Sequence, residues 1–311
     1  MAVPKGWLGP KRNFLGLEEP WCLPDRAGVY VLPAPYEHTS SYIRGSDQGP
    51  SAILEASRQV EFYDETLGVE SYREWGGVAT AAPLKLGRKV NRRAVEAIEA
   101  YVAPHVKPGR FVLTLTGEHT GALGAIRAHA RRYPDLCVVQ VDAHGDLRQA
   151  YLDNPFSHAS VMARVVEDGL PLVQVGIRSV SPEELDLINR TKTVSTFFAS
   201  KILDPAGPYE GKAANWVPEV VRACTGPVYL TFDCDGLDPS IVPALGTPEP
   251  GGLGWYDTLA LVAALARGPG IVGMDVSEIA PIRGFAAPQF AVARLIYRVL
   301  GLVRTAGRHK P

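Results

Sequence analysis

Three short stretches of the chain concentrate residues that bind metals or move protons: Thr116-Gly117-Glu118-His119-Thr120, Asp142-Ala143-His144-Gly145-Asp146 and Asp233-Cys234-Asp235-Gly236-Leu237-Asp238-Pro239. In an extended segment alternate side chains share a face, so Asp142, His144 and Asp146 can point one way, as can Asp233 and Asp235. Cys234, between two of these, then points to the opposite face and packs as a small apolar residue. Four carboxylates gathered at one place repel strongly unless cations lie between them. Two divalent ions bring four positive charges against the four aspartates, with His119 and His144 completing the shells as neutral imidazoles. Hard carboxylates with a minority of imidazole and no thiolate suit Mn²⁺ better than a structural zinc. Paired ions about 3.5 to 4 Å apart share a water, lower its pKa and hold it against an electrophilic carbon. A lone Asp-x-Asp after a strand is ordinary turn and helix-cap chemistry. It is the recurrence at three places that carries the metal reading.

Such clusters need strand ends to hold them. Nearly continuous apolar runs at 28–32, 111–115, 136–141, 172–177, 194–198, 228–232 and 271–275 read as strands covered on both faces, and 76–82 reads as a weaker eighth. Helical spacing fills 51–62, 90–102, 120–133, 159–167, 182–189, 255–267 and 288–302. That alternation predicts an α/β fold with a mainly parallel sheet between helical layers, with a closed eight-stranded barrel as the competing architecture. In either, chemistry belongs at the carboxyl ends of the strands, and each of the three clusters follows such a run.

Composition excludes other classes. A chain of 311 residues with 46% hydrophobic and 21% charged residues buries a large core, and its 31 glycines and 26 prolines are scattered rather than repeated. No internal repeat or Ser/Gly linker separates two cores, so 1–311 reads as a single domain, with a core at about 28–300 and an extension over 1–27. Net charge -1 without a basic stripe argues against a nucleic-acid partner. The apolar run 259–266 stops at Arg267, far short of a membrane span. Four cysteines without C-x-x-C spacing, and no apolar leader, fit a cytoplasmic setting.

The clusters resemble the signatures of the ureohydrolase family, the arginases and agmatinases, which read approximately G-G-[DE]-H-S, D-A-H-x-D and D-x-D-x-x-D-P. The likeness continues through Gly246-Thr247-Pro248-Glu249-Pro250-Gly251-Gly252-Leu253 and Met274-Asp275-Val276-Ser277-Glu278-Ile279-Ala280-Pro281, and reaches back to Pro35-Tyr36-Glu37. The first motif departs slightly, with Thr116 for a glycine and Thr120 for a serine. The resemblance implies a three-layer αβα sandwich on an about eight-stranded sheet, which displaces the barrel. It implies two Mn²⁺ per chain, one held by His119, Asp142, Asp146 and Asp233, the other by Asp142, His144, Asp233 and Asp235. It further implies that His158, at the position of the proton-shuttling histidine, or Asp146 passes a proton to the leaving amine, and that Glu278 grips the substrate guanidinium. By themselves these two residues read as a helix-start histidine and a helix-start carboxylate. His38, His105, His129 and His309 have no comparable context and read as structural or surface residues. Family members commonly form trimers or hexamers, so a homo-oligomer is expected.

The expected substrate is a small guanidino compound, agmatine first, yielding putrescine and urea. Arginine, guanidinobutyrate and aminopropylagmatine are alternatives within the same chemistry, and a non-catalytic binding member is an alternative outside it. Arginases carry an aspartate where Ser181 stands, and it helps bind the α-amino group. Here Ser181, with Pro182 next and Glu184 three residues on, also reads as a helix N-cap with a capping box.

Overall fold

The computed structural model describes residues 3–203 and 216–306, and His309 lies outside the described residues. Its strands are β1 Val29–Ala34, β2 Tyr63–Asp64, β3 Val69–Glu70, β4 Val78–Thr80, β5 Phe111–Thr116, β6 Cys137–Val141, β7 Leu172–Ile177, β8 Val194–Phe198, β9 Val228–Asp233 and β10 Ile271–Ser277. Eight of them form one sheet in the order β4-β1-β5-β10-β9-β6-β7-β8, with every neighbouring pair parallel. β2 and β3 form a small antiparallel hairpin apart from it. The sheet is open, with β4 and β8 at its edges, so it is no barrel. β4 supplies the eighth strand at the place where the apolar signal was weakest, and it is only 3 residues long.

The helices are α1 Gly49–Ser57, α2 Ser71–Glu74, α3 Arg92–Val102, α4 Ala122–Ala130, α5 Val161–Glu167, α6 Pro182–Arg190, α7 Ala199–Ile202, α8 Trp216–Ala223, α9 Trp255–Arg267 and α10 Ala287–Thr305. One core joins α1, α9 and α10 to one face of the sheet through Ile53, Leu261, Val262, Leu295, Ile296 and Val299. The other joins α3, α4 and α5 to the opposite face through Val95, Ile98, Leu123, Ile126, Met162 and Val165. In α10 the spacing Val292, Leu295, Ile296, Val299, Leu300 lays one stripe on the sheet, and each such side chain contributes about 1.5 to 3 kcal/mol on burial. α1 stops at Ser57 rather than continuing to 62 because the Ser57 hydroxyl turns back to the Leu54 carbonyl and accepts the Leu15 N–H. α8 escapes the sequence pattern because Pro218 stands in its first turn, a place where the missing N–H costs nothing.

The crossing pattern makes the site. From β5 the chain passes over two positions to reach β6, builds outward to β8, then returns to lay β9 and β10 in the gap. The carboxyl ends of β5, β10, β9 and β6 therefore stand side by side, where a doubly wound sheet opens a crevice. Gly236 lets the loop after β9 close on the end of β6, since a Cβ there would come within 2.7 Å of the Asp142 nitrogen.

Candidate metal centre

All six residues singled out as ligands converge on this crevice. His119 Nδ1 lies 3.0 Å from Asp142 Oδ2, 2.9 Å from Asp146 Oδ2 and 3.4 Å from Asp233 Oδ2. His144 Nδ1 lies 2.9 Å from Asp235 Oδ2 and 3.7 Å from Asp142 Oδ1. Two groups result, His119-Asp142-Asp146 and Asp142-His144-Asp235, each with ligand atoms within 4.8 Å of one another and with Asp142 in both. Asp233 joins through its approach to His119. Cys234 faces the other way and is buried in the opposite core.

The aspartates are held by a repeated device in which one oxygen accepts a backbone N–H and the other turns to the centre. Asp142 Oδ1 takes the His144 N–H at 2.6 Å, Asp233 Oδ1 the Asp235 N–H at 2.9 Å, and Asp235 Oδ1 the Ala143 N–H at 2.9 Å. The turn chemistry of Asp-x-Asp is thus real and leaves an oxygen free. His119 uses Nδ1 toward the carboxylates, and its Nε2 meets the Thr231 hydroxyl at 2.9 Å, which in turn donates to Asp275 at 3.0 Å. That outer chain aims Nδ1 inward. Asp146 and Glu278 stand at φ 53° and φ 66°, left-handed conformations costly for such residues and concentrated at working sites.

The donor set fits hard divalent ions, and the electrostatics show why. Burial first, and Asp142 second, push Asp146 up to about 7. Burial and then neighbouring carboxylates raise Asp233 and Asp235 above the usual range. Burial works against charge on His144, but Asp235 and Asp142 outweigh it and hold it at about 12, and hydrogen bonds to Asp142 and Asp146 likewise raise His119. Burial would raise Asp142 too, yet its two histidine partners hold it low. Without cations the centre therefore stores protons. Raised groups stabilise the fold below their ordinary pKa and lose that contribution as pH climbs through the folded value, a window from 3.8 to about 7 for Asp146. Asp142 does not oppose this, because its contribution is lost only in acid below that window. His129, whose pKa burial lowers to about 4, works the other way over the same range, so the test is the metal-dependent part: the rise in melting temperature on adding Mn²⁺ should grow from about pH 5 to 7, with protons released to buffer. A rise on adding Mn²⁺ that is the same at both pH values would contradict this account.

His158, half-buried, lines a cavity of about 230 Å³ with His144, Asp146, Arg148 and Tyr151. Its Nδ1 lies 3.1 Å from the Thr39 hydroxyl. Glu278 follows β10, and its Oε1 accepts the His119 N–H at 2.7 Å. Burial first, and Glu118 second, raise it well above the carboxylate range. Glu278 borders a tight cleft of about 10 Å³ with Ser40, Tyr42 and Thr247, continuous with the larger cavity at His158. Glu118, quoted in the first motif without a role, is fully buried and accepts from the N–H groups of His38 and Thr39 and from the Thr39 and Thr120 hydroxyls. Of the remaining histidines, His38 is exposed and His105 packs edge-on against Trp7 and Tyr30. His129 is fully buried against Tyr229 and held neutral, with burial driving its pKa to about 4.

Compared with known proteins, residues 27–301 match the family model described as the arginase family. An N(1)-aminopropylagmatine ureohydrolase of Synechocystis sp. is 41% identical over the whole of both chains. An agmatinase of Bacillus anthracis is 32% identical, covering 83% of this chain and 85% of its own. The solved agmatine ureohydrolase of Thermoplasma volcanium aligns with a TM-score of 0.79 at 29% identity, covering 92% of this chain and 93% of that one.

Proposed function

The chain belongs to the arginase family, and on that premise we propose that this ureohydrolase acts on a decarboxylated guanidino polyamine, aminopropylagmatine ahead of agmatine, releasing urea. The observation that carries the hydrolytic reading is the position of Asp142 in both ligand groups. We assign one Mn²⁺ to His119, Asp142, Asp146 and Asp233 and a second to Asp142, His144, Asp233 and Asp235. Bound there, the pair supplies a water-derived nucleophile at neutral pH and stabilises developing charge.

The chain's own residues do the rest. Glu278 is a half-buried carboxylate in want of a cation, and a guanidinium arriving beside it relieves both its desolvation and its repulsion from Glu118. The 40–43 stretch has to give way for that contact, because the cleft is so small. His158, held by Thr39 and facing the same cavity as Asp146, delivers the proton to the departing nitrogen, and Asp146 relays it.

Substrate choice rests on what the cavity lacks for an amino acid. Ser181 forms its capping box, accepting from the Glu184 N–H while Glu184 accepts from the Ser181 N–H, so its hydroxyl is spent on α6. Arg148 in the lining turns onto Glu183 at 3.2 Å, which competes with any α-carboxylate for it, and Arg44 lines the adjoining cavity. A second cavity of about 470 Å³ meets the first at Ser41 and Tyr151 and gives room for an arm longer than that of agmatine. The relative from Synechocystis sp., named for the longer substrate and the more similar of the two enzymes, supports moving the preference from agmatine to aminopropylagmatine. Urea release across a panel of guanidino compounds tests this. The expected kcat/KM for aminopropylagmatine exceeds that for agmatine, and both exceed arginine at least about tenfold, or 1.4 kcal/mol in transition-state binding. Equal turnover of arginine would overturn the substrate reading, and no urea from any compound would return the non-catalytic alternative.

A further inference from the structure

Beneath the centre, register aligns one polar residue on each of six adjacent strands: Thr114, Asp275, Thr231, Gln140, Gln174 and Thr196. The first five are fully buried in a sheet whose other rungs on that face are largely apolar. One arm ends on His119, through Thr231 and Asp275. The other runs inward from the edge strand. The Thr196 hydroxyl donates to Gln174 Oε1 at 2.8 Å, Gln174 Nε2 donates to Gln140 Oε1 at 2.6 Å, and Gln140 Nε2 donates to Asp142 Oδ2 at 2.7 Å.

The direction of this chain is forced. Gln140 Nε2 also faces the His144 carbonyl at 3.3 Å, and Gln174 Nε2 the Gly145 carbonyl at 2.7 Å. A carboxylate and two carbonyls only accept, so each amide must present its nitrogen to them and its oxygen to the preceding donor. A flip of either glutamine would set oxygen against oxygen in a buried place, leaving unpaired groups worth about 1 to 3 kcal/mol each. The amide orientations are thereby fixed along the chain from Asp142 out to β8, where the Thr196 hydroxyl supplies the last donor.

We propose that the Thr196-Gln174-Gln140 chain is a positioning relay for Asp142, holding the carboxylate common to both ligand groups in its ligating rotamer. This rests on the reading of Asp142 as a shared ligand. Manganese retention on the full chain, measured in a chelator-buffered series with melting temperature followed alongside, tests it. Gln140→Met keeps volume and removes the donor, and it should weaken both ions by about 10- to 100-fold, the usual effect of losing a partner of a ligand. Gln174→Met should weaken them less, and Thr196→Val, at the half-buried edge where folding is least at stake, less again. The double variant Gln140→Met/Gln174→Met should lose less than the sum of the two single losses, the remainder reporting the Gln174 bond to the Gly145 carbonyl, which does not pass through Gln140. Unchanged affinity in Gln140→Met, or additive losses in the double variant, would overturn the relay. Asp142→Ala separates the two failures: loss of metal there with none in Gln140→Met sinks the relay alone, whereas retention of both ions in Asp142→Ala sinks the ligand reading beneath it.

Discussion

Asp142→Ala should strip the chain of both manganese ions and lower urea release by roughly 10³-fold or more, since the paired ions supply several kcal/mol of charge stabilisation. The expectation follows from geometry. Asp142 Oδ2 lies 3.0 Å from His119, and Oδ1, which also accepts the His144 N–H, lies 3.7 Å from the His144 ring, so Asp142 borders both groups. Asp142 alone stands in both groups of close donors, whereas Asp233, the other carboxylate assigned to both ions, approaches His119 at 3.4 Å. Asp235→Asn is the instructive contrast, because Asp235 meets His144 at 2.9 Å and is absent from the group around His119. It should cost chiefly one ion, leaving about one manganese per chain by elemental analysis with activity low but measurable. Loss of both ions in Asp235→Asn, or retention of both in Asp142→Ala, would show that the ions are divided differently. Excess Mn²⁺ in the assay should restore more of Asp235→Asn than of Asp142→Ala, because mass action refills a weakened site and not an abolished one.

The centre was legible because its residues are local in sequence: an alternating Asp-x-His-x-Asp at the end of an apolar run places its own side chains, and three such runs need only become neighbours. The sheet was legible for a related reason, since strands buried on both faces are almost uninterrupted in apolar character. What escaped depends on distance along the chain. Gln140 and Gln174 each interrupt an apolar strand, and a polar residue so placed must find a partner. Only the register, which pairs residues 34 apart in sequence, reveals that the partners are each other and then Asp142. Glu118 was quoted within its motif yet given no role, because the backbone it holds lies 80 residues earlier. The β2-β3 hairpin, with 2 residues in each strand, is too short for any period to register. α8 hid behind Pro218, which marks a first helical turn as readily as a loop.

His158→Ala should retain two manganese ions per chain and lose about 10² to 10⁴ in kcat, the usual worth of a positioned acid or base. The structure separates the two quantities. His158 belongs to neither group of close donors, yet it lines the cavity shared by His144 and Asp146. Its Nδ1 and its backbone N–H both meet the Thr39 hydroxyl at 3.1 Å, and that hydroxyl donates to Glu118 at 2.7 Å. With the Thr39 proton committed to Glu118, the hydroxyl oxygen is left to accept, so Nδ1 carries the hydrogen and Nε2 is the nitrogen free to exchange a proton at the cavity. Burial depresses the imidazole pKa, which makes the protonated ring a stronger acid toward a leaving amine. Thr39→Val removes the acceptor and leaves both the ring and the ligands in place. It should lower kcat by less than His158→Ala, with KM and manganese content little changed, and Thr39→Ser should restore most of the loss. Adding the Thr39→Val change to His158→Ala should then cost almost nothing further, because the hydroxyl acts through the ring it orients. If His158→Ala instead shed manganese, the residue would be a ligand, and the proton would have to reach the departing nitrogen from Asp146 alone.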